Sequence, residues 1–222
     1  MIIDLSFFLS IIPYLLEGVK ITLEVSLISF IIGFIVSSII TPVRIFLKMP
    51  FTLPINTYVE LIRGTPVLVQ LFIIYFGLPS IGIYFDPLWA GIIALGINSG
   101  AYQAEIFRSS IKSIPESQYL SAESLGMNNL QIYRYVIFPQ AIRIAIPALI
   151  NELVTLVKES SLVSIIGVAD LMRKGEYIVA STFRAFEVYL IVAAIYFIMC
   201  YILSSMSHRI EALLKIPGYE RS

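Results

Sequence analysis

Two long apolar runs without any charged residue constrain this sequence most. They occupy residues 25–43 and 188–207, nineteen and twenty residues. At roughly 1.5 Å per residue, each forms a helix of about 28–30 Å, enough to cross the hydrocarbon core of a bilayer. The whole chain of 222 residues is 58% hydrophobic and only 14% charged, whereas soluble domains have about 25% charged residues. The sequence therefore predicts an all-α integral membrane protein with several spans.

Two further segments also predict spans. Residues 52–79 are apolar but are interrupted by the sequence Arg63-Gly64-Thr65-Pro66, which predicts a break between a short entry helix and the main span. Residues 88–108 form the next span, and its centre, Asn98-Ser99-Gly100, is small and polar. Such residues allow helices to approach closely or to hydrogen-bond across an interface.

Residues 144–168 are harder to assign, because Glu152, Lys158 and Glu159 interrupt the apolar sequence. The distribution of basic residues favours a span here, which makes five. One side of the membrane then holds Arg44, Lys48, Arg63, Arg108, Lys112, Arg134, Arg143, Arg209, Lys215 and Arg221. The other side holds only Lys20, Arg173, Lys174 and Arg184. The positive-inside rule makes the first side cytoplasmic.

This topology places the N-terminus outside and the C-terminus in the cytoplasm of a cell-membrane protein. Residues 1–20 are expected to form an amphipathic segment at the membrane surface, and residues 21–215 a single transmembrane domain. The formal net charge of zero argues against nucleic acid as a partner. With one cysteine, Cys200, and one histidine, His208, a cysteine metal cluster within the chain is excluded and an intramembrane enzyme is remote.

The polar stretch 113–147 lies between two predicted spans and has helix punctuation of its own. Gly126 is placed to end a first short helix, and Asn128 or Asn129 to cap a second one. Pro139 is expected to end the second helix. Two short helices that meet at a glycine, in a cytoplasmic loop, favour an element on which a partner docks.

The same stretch resembles the signature cytoplasmic loop of importer-type ABC permeases, whose pattern is Glu-Ala-Ala, three residues, Gly, nine residues, then Ile-x-Leu-Pro. Here Gly126 is followed after nine residues by Val136-Ile137-Phe138-Pro139. The Glu-Ala-Ala part reads Leu120-Ser121-Ala122, so the usual glutamate is absent, and Glu123 follows directly. Four blocks also resemble polar amino-acid permeases of this superfamily. They span residues 58–79, 97–115, 139–171 and 182–197.

The resemblance implies the type I ABC importer permease fold, with five transmembrane helices and a coupling-helix pair. It also implies a second permease, identical or paralogous, two ATPase subunits in the cytoplasm and an external amino-acid-binding protein. The chain lacks the loop G-x-x-x-x-G-K-[ST], so ATP and Mg²⁺ belong to the partner, and no cofactor is expected here. The predicted coupling residues are Ser121, Ala122, Glu123, Gly126 and Pro139. Alternatively, Gly126 is an ordinary helix C-cap and Glu123 a solvated charge.

Polar residues within the spans are candidates for a substrate path, because charges at membrane depth usually face a cavity or a partner. The candidates are Asn98, Ser99, Glu60 and Glu159. Each could instead hold helices together, and Glu60 with Arg63, like Glu105 with Arg108, is spaced to form a local ion pair. An ion-coupled carrier or channel for small polar solutes is the alternative function, although it leaves the cytoplasmic helix pair without a role.

Overall fold

The computed structural model describes residues 5–214, which are folded into helices. The long helices are α1 (Leu5–Phe46), α4 (Pro87–Lys112), α7 (Phe138–Glu159) and α9 (Ala185–Leu214). The shorter ones are α2 (Leu53–Arg63), α3 (Val67–Phe72), α5 (Glu116–Ser124), α6 (Asn129–Ile132) and α8 (Leu171–Thr182). Two π-turns, Ile73–Gly77 and Tyr133–Ile137, continue α3 and α6, and two 3₁₀ turns, Leu78–Ile81 and Ser160–Ile166, follow. Lys215 and Arg221, which the charge argument used, lie outside the described residues.

Three helical stretches in the described range are long and apolar enough to cross a membrane: Ser6–Phe46, Asn129–Ile166 and Ala185–Glu211. The segments Leu53–Arg63 and Val67–Ile81 meet at an angle of 107° and count as a fourth span if they are taken together. The break at residues 63–66 is therefore confirmed. The doubtful segment 144–168 lies largely in one of the three long stretches.

Five spans are not confirmed, because α4 is not among the candidates. Its centre is rich in small and polar residues, and Asn98, Ser99 and Gln103 are all buried. A helix whose middle packs against other helices needs less apolar surface than one that faces lipid. The low apolarity of α4 thus reflects its central position.

The packing of α4 against α1 depends on glycines at close approach. A Cβ atom at Gly96 would lie 2.8 Å from Cγ2 of Ile32, and one at Gly100 would lie 2.9 Å from Cγ1 of Val36. Between these helices Ser29 donates its hydroxyl to the carbonyl of Ile92, at 3.1 Å. The two backbones can approach this closely only because side chains are absent at the contact.

Helix α1 continues without a break across residue 20, the predicted boundary between the N-terminal segment and the transmembrane domain. Its first half packs Ile11 and Leu15 against Leu171 and Val188 of α8 and α9. A helix of 42 residues extends about 63 Å at roughly 1.5 Å per residue, longer than the hydrocarbon core requires. The placement of residues 1–20 at the membrane surface stays a prediction.

Candidate functional site

The stretch after α4 folds as two short helices joined by a glycine turn. Gly126 has a φ of +79°, and its N–H donates to the carbonyl of Glu123 at 2.9 Å. Asn128 caps α6: its side chain accepts from the N–H of Gln131 at 3.0 Å, while the Gln131 side chain accepts from the Asn128 N–H at 2.9 Å. The predicted glycine turn and the predicted cap are both confirmed.

The prediction that Pro139 ends the second helix is wrong. Helix α6 passes through the π-turn Tyr133–Ile137 directly into α7, and Pro139 lies in the first turn of that helix. Pro139 directly follows the π-turn, where the regular ladder of hydrogen bonds between residues four apart is already interrupted. The loop and α7 therefore form one continuous helical path, Asn129–Ile166.

A small apolar core fixes the loop to the start of α7. Its buried members are Ile114, Ala122, Ile132, Ile137 and Ala141. Ala122, which the sequence analysis placed in the partner contact, is only 4% exposed and faces this core. Ala122 thus holds α5 in place by packing, and its part in a partner contact stays a prediction.

The outer surface of the loop carries Ser121, Glu123 and Gly126, which are all exposed, and Pro139 is exposed nearby. Three leucines lie among them and were not predicted as site residues: Leu120 is 52%, Leu125 82% and Leu130 74% exposed. We call Leu120, Leu125 and Leu130 together with Ser121 and Glu123 the loop face. The sequence contained a signal for this surface, because the three leucines interrupt an otherwise polar stretch.

Asn98 lies at the break between α2 and α3. Its side-chain amide donates to Oε1 of Gln70 at 3.0 Å. Gln70 in turn donates to the carbonyl of Ile62 at 2.8 Å and to Oγ1 and the carbonyl of Thr65 at 3.0 and 3.1 Å. Gln70 thus binds backbone carbonyls at the break, and Asn98 holds the Gln70 side chain in that position. Gln70, which sequence reasoning missed, is the centre of this group.

Ser99 faces α7, where its hydroxyl donates to Oε1 of Glu152 at 2.8 Å. The side chain of Gln103 donates both to Ser99 Oγ at 2.9 Å and to the carbonyl of Phe30 in α1 at 3.1 Å. One polar chain therefore joins α1, α4 and α7 in the interior of the bundle. Glu152 is a half-buried carboxylate in this chain.

The structure does not bring the other two candidates into these groups. Glu159 is half-buried at the C-terminal end of α7, two turns beyond Glu152, so both carboxylates lie on one side of the helix. Glu60 is exposed on α2. The predicted pair of Glu60 with Arg63 is not found among the described residues. The guanidinium of Arg63 lies 3.9 Å from Glu105 instead.

The predicted pair of Glu105 with Arg108 is confirmed, and it belongs to a larger cluster. Arg44, at the end of α1, donates from Nη1 to Oε2 of Glu105 at 3.2 Å and from Nε to Oδ1 of Asn56 at 2.9 Å. One carboxylate is thus surrounded by three arginines from α1, α2 and α4.

Comparison with known proteins decides the family. The profile of the family described as binding-protein-dependent transport system inner membrane component matches residues 33–215. The chain belongs to this family. The arginine transport system permease protein ArtQ of Bacillus subtilis is 38% identical over 214 residues, which cover 96% of this chain and 98% of ArtQ. The glutamine transport system permease protein GlnP of Escherichia coli is 38% identical over 207 residues, or 92% of this chain and 94% of GlnP.

Solved structures agree with this membership. A crystal structure of an amino acid ABC transporter with histidines superposes with a TM-score of 0.91 at 40% identity, covering 96% of this permease and 99% of that chain. A structure of the MetNI methionine ABC transporter in an inward facing conformation superposes with a TM-score of 0.75 at 21% identity, covering 91% of this permease and 96% of that chain. At that identity the likeness shows the fold alone.

The family membership confirms the prediction that this chain is the permease subunit of an ABC importer in the inner membrane. Permeases of this family hold no cofactor, and ATP is bound and hydrolysed by a separate ATPase subunit. A binding-protein-dependent system also implies a substrate-binding protein as partner.

Proposed function

We propose that this permease forms the membrane path of an ATP-driven importer for amino acids. When the ATPase subunits bind ATP and close, their movement acts on the loop face. The relatives named above transport arginine and glutamine, and a third, TcyB of Bacillus subtilis, is an L-cystine permease that is 39% identical over 203 residues. These names support amino acids as the substrate class. They differ among themselves in the amino acid that is carried.

The observation that carries the coupling proposal is the unbroken helical path from α6 to the end of α7. A push on the loop face moves α5 and α6 as one body, because their shared core includes Ala122, Ile132 and Ala141. Helices move as bodies more readily than they deform. The movement therefore reaches Glu152 and the interior of the bundle through α7.

The exposed leucines suit a contact that excludes water. An exposed apolar patch on a polar loop is stabilised when a partner covers it, and Glu123 adds a charge that selects the partner and its orientation. Leu120 occupies the position where the family pattern has glutamate. In this permease the contact thus relies on apolar burial at that position, and Glu123 carries the negative charge.

We further propose five spans, with α4 as the fifth, and the loop face in the cytoplasm. The excess of basic residues on the side of Arg44, Arg108 and Lys112 supports this orientation. The permease works as a dimer with a second, identical or paralogous permease, together with ATPase subunits and the external binding protein.

For the substrate path we favour Glu152 and Glu159 over Asn98 and Glu60, and Ser99 acts by holding Glu152 in place through its hydrogen bond. The carboxylates of Glu152 and Glu159 are half-buried on α7 and are suited to an amino group of the substrate. Asn98 and Gln70 bind each other and the backbone break, and this role leaves Asn98 less available to a ligand. Glu60 faces outward from the bundle and is the weakest candidate.

Reconstitution tests the proposal directly. The permease is placed in vesicles with its ATPase subunits, and uptake of labelled amino acids is measured with and without ATP and the binding protein. Uptake that requires all of these components supports an ABC importer. Uptake by the permease alone, driven by a proton or sodium gradient, contradicts it and favours the ion-coupled carrier.

A further inference from the structure

A pocket lies where the ends of three spans meet the loop. It has a volume of roughly 300 Å³, and its lining comes from the end of α1, the start of α2, the last turns of α4 and the π-turn after α6. The polar lining residues are Arg44, Asn56, Arg108, Lys112 and Tyr133. Neither the family membership nor the transport function assigns a role to this pocket.

Every polar residue of this lining can donate a hydrogen bond, and no carboxylate is among those that the structure places there. Glu105 is bound to Arg44 and Arg108, but it supplies one negative charge against the three cations of the lining. The pocket therefore has an excess of positive charge. Ion pairing with Glu105 alone would not require three cations around the pocket.

Some donors of the lining residues are engaged with the protein, and others remain for a ligand. Asn56 uses its Oδ1 to accept from Arg44, so the NH₂ of the same amide stays a donor. Within the described residues, two of the five N–H donors of Arg44 are used, toward Asn56 and Glu105. The Arg44 side chain is only 9% exposed, and its position is fixed before any ligand arrives.

We propose that this pocket binds the phosphate group of an anionic ligand, supplied either by a membrane phospholipid or by free phosphate. Tetrahedral oxyanions with several acceptor oxygens match a set of arginine, lysine and amide donors. The bound phosphate would join α1 and α4 to Tyr133 of the loop. Occupancy of the pocket would thus stiffen the junction through which the loop face acts.

The position of the pocket favours the phospholipid. Residues 46–53, from the last residue of α1 to the first of α2, begin two positions after Arg44 and expose large apolar side chains next to Lys48. These are Phe46, Leu47, Met49, Phe51 and Leu53. Exposed apolar residues beside basic ones are typical of chain that lies in the headgroup region. A lipid phosphate at that depth has a short path to Arg44.

Binding is tested on the purified full-length permease in neutral detergent, without reference to transport. The melting temperature is followed during titration with phosphatidylglycerol, with phosphatidylcholine as the neutral control, and separately with inorganic phosphate against chloride at equal ionic strength. A rise with phosphatidylglycerol alone identifies a lipid, and a rise with inorganic phosphate identifies a soluble ligand. No specific rise in either arm overturns the proposal.

Two variants decide whether the effect arises in this pocket. Asn56→Asp keeps an acceptor for Arg44 but adds a negative charge, and it should abolish the response. Lys112→Gln, at an exposed position, should raise the half-maximal ligand concentration about tenfold, since it removes one charge-assisted hydrogen bond to the phosphate. The matched control Lys20→Gln removes an exposed cation of α1 that lies outside the lining, and this variant should respond like the unmodified chain. Equal responses from all four proteins show that the pocket is not the site.

Discussion

Asn98 donates its side-chain amide to Oε1 of Gln70 at 3.0 Å, and this bond joins the middle of α4 to the break between α2 and α3. The side-chain amide of Gln70 donates in turn to the carbonyls of Ile62 and Thr65. Carbonyls at a break in a helix have lost their regular partners, and their burial without hydrogen bonds is costly. The pair thus stabilises the sharp bend between α2 and α3.

Replacement of Asn98 by leucine should therefore act first on stability. It leaves Oε1 of Gln70 without its donor, at a cost of about 1–3 kcal/mol, and we expect a lower melting temperature of the purified permease. The matched control is Asn151→Leu, because Asn151 is exposed on α7; its effect should stay within about 0.5 kcal/mol. If Asn98→Leu left the melting temperature unchanged but altered the preference among amino acids, Asn98 would instead contact the substrate.

Reversal of the charge at Glu123 should uncouple the permease from its ATPase. Glu123→Arg at an exposed position should leave the protein folded in the membrane and lower both uptake and transport-coupled ATP hydrolysis about tenfold, a loss of ~1.4 kcal/mol. Gln118→Arg introduces the same side chain elsewhere on the surface of α5 and is the control. If both variants transport at the unmodified rate, Glu123 is only a solvated charge.

The leucines of the loop face should matter for assembly and hardly at all for folding. Leu125 and Leu130 are already 82% and 74% exposed, so the double change to aspartate should alter stability by less than about 1 kcal/mol. Co-purification with the ATPase subunits should fall by about tenfold or more, as expected for apolar anchors at an interface.

The contrasting variant is Ala122→Asp, which places a charge in the core of the loop. Because Ala122 is buried, this change should destabilise the loop and expose it to proteolysis even when no partner is present. If the leucine double variant were equally sensitive to protease, its loss of ATPase binding would reflect unfolding, and the proposed contact would fail.

Glycine should be required at position 126 because of the positive φ, and not because neighbouring atoms leave no room for a side chain. A Cβ atom there would meet no other atom within 4 Å, but the φ of +79° is unfavourable for other residues. Gly126→Val should cost about 1–2 kcal/mol, whereas Gly126→Asn should cost less, since asparagine tolerates this region. Thermal unfolding of both variants gives the comparison. Equal stability would mean that the turn can relax to another geometry.

Features set by neighbours in the sequence were predictable. The cap at Asn128, the turn at Gly126 and the pair of Glu105 with Arg108 all involve residues within three or four positions of one another. Local hydrogen bonds and helical spacing decide such features. Pro139 was an exception, because a π-turn allowed the helix to continue where a proline usually ends it.

Features that depend on packing between distant segments were not predictable. The orientation of Ala122 follows from the way α5 packs on α6 and the π-turn after it, and the partner of Arg63 is 42 positions away, at Glu105. In the sequence, Gln70 is one polar residue in an apolar stretch. Its role depends on the bend, which brings backbone carbonyls to its side chain. Spacing along the chain contains no information about such contacts.

Glu152 is the residue on which the substrate path can be tested most cleanly. Glu152→Gln keeps an oxygen that accepts from Ser99 and removes the negative charge. Uptake should show a KM raised about tenfold, or ~1.4 kcal/mol, with little change in melting temperature. Ser99→Ala is the complementary variant, because it removes the hydrogen bond and keeps the carboxylate. It should lower stability by about 1 kcal/mol and leave KM within a factor of about three. The opposite pattern, a normal KM for Glu152→Gln with lowered stability in both variants, would make the pair a contact that only holds α4 to α7.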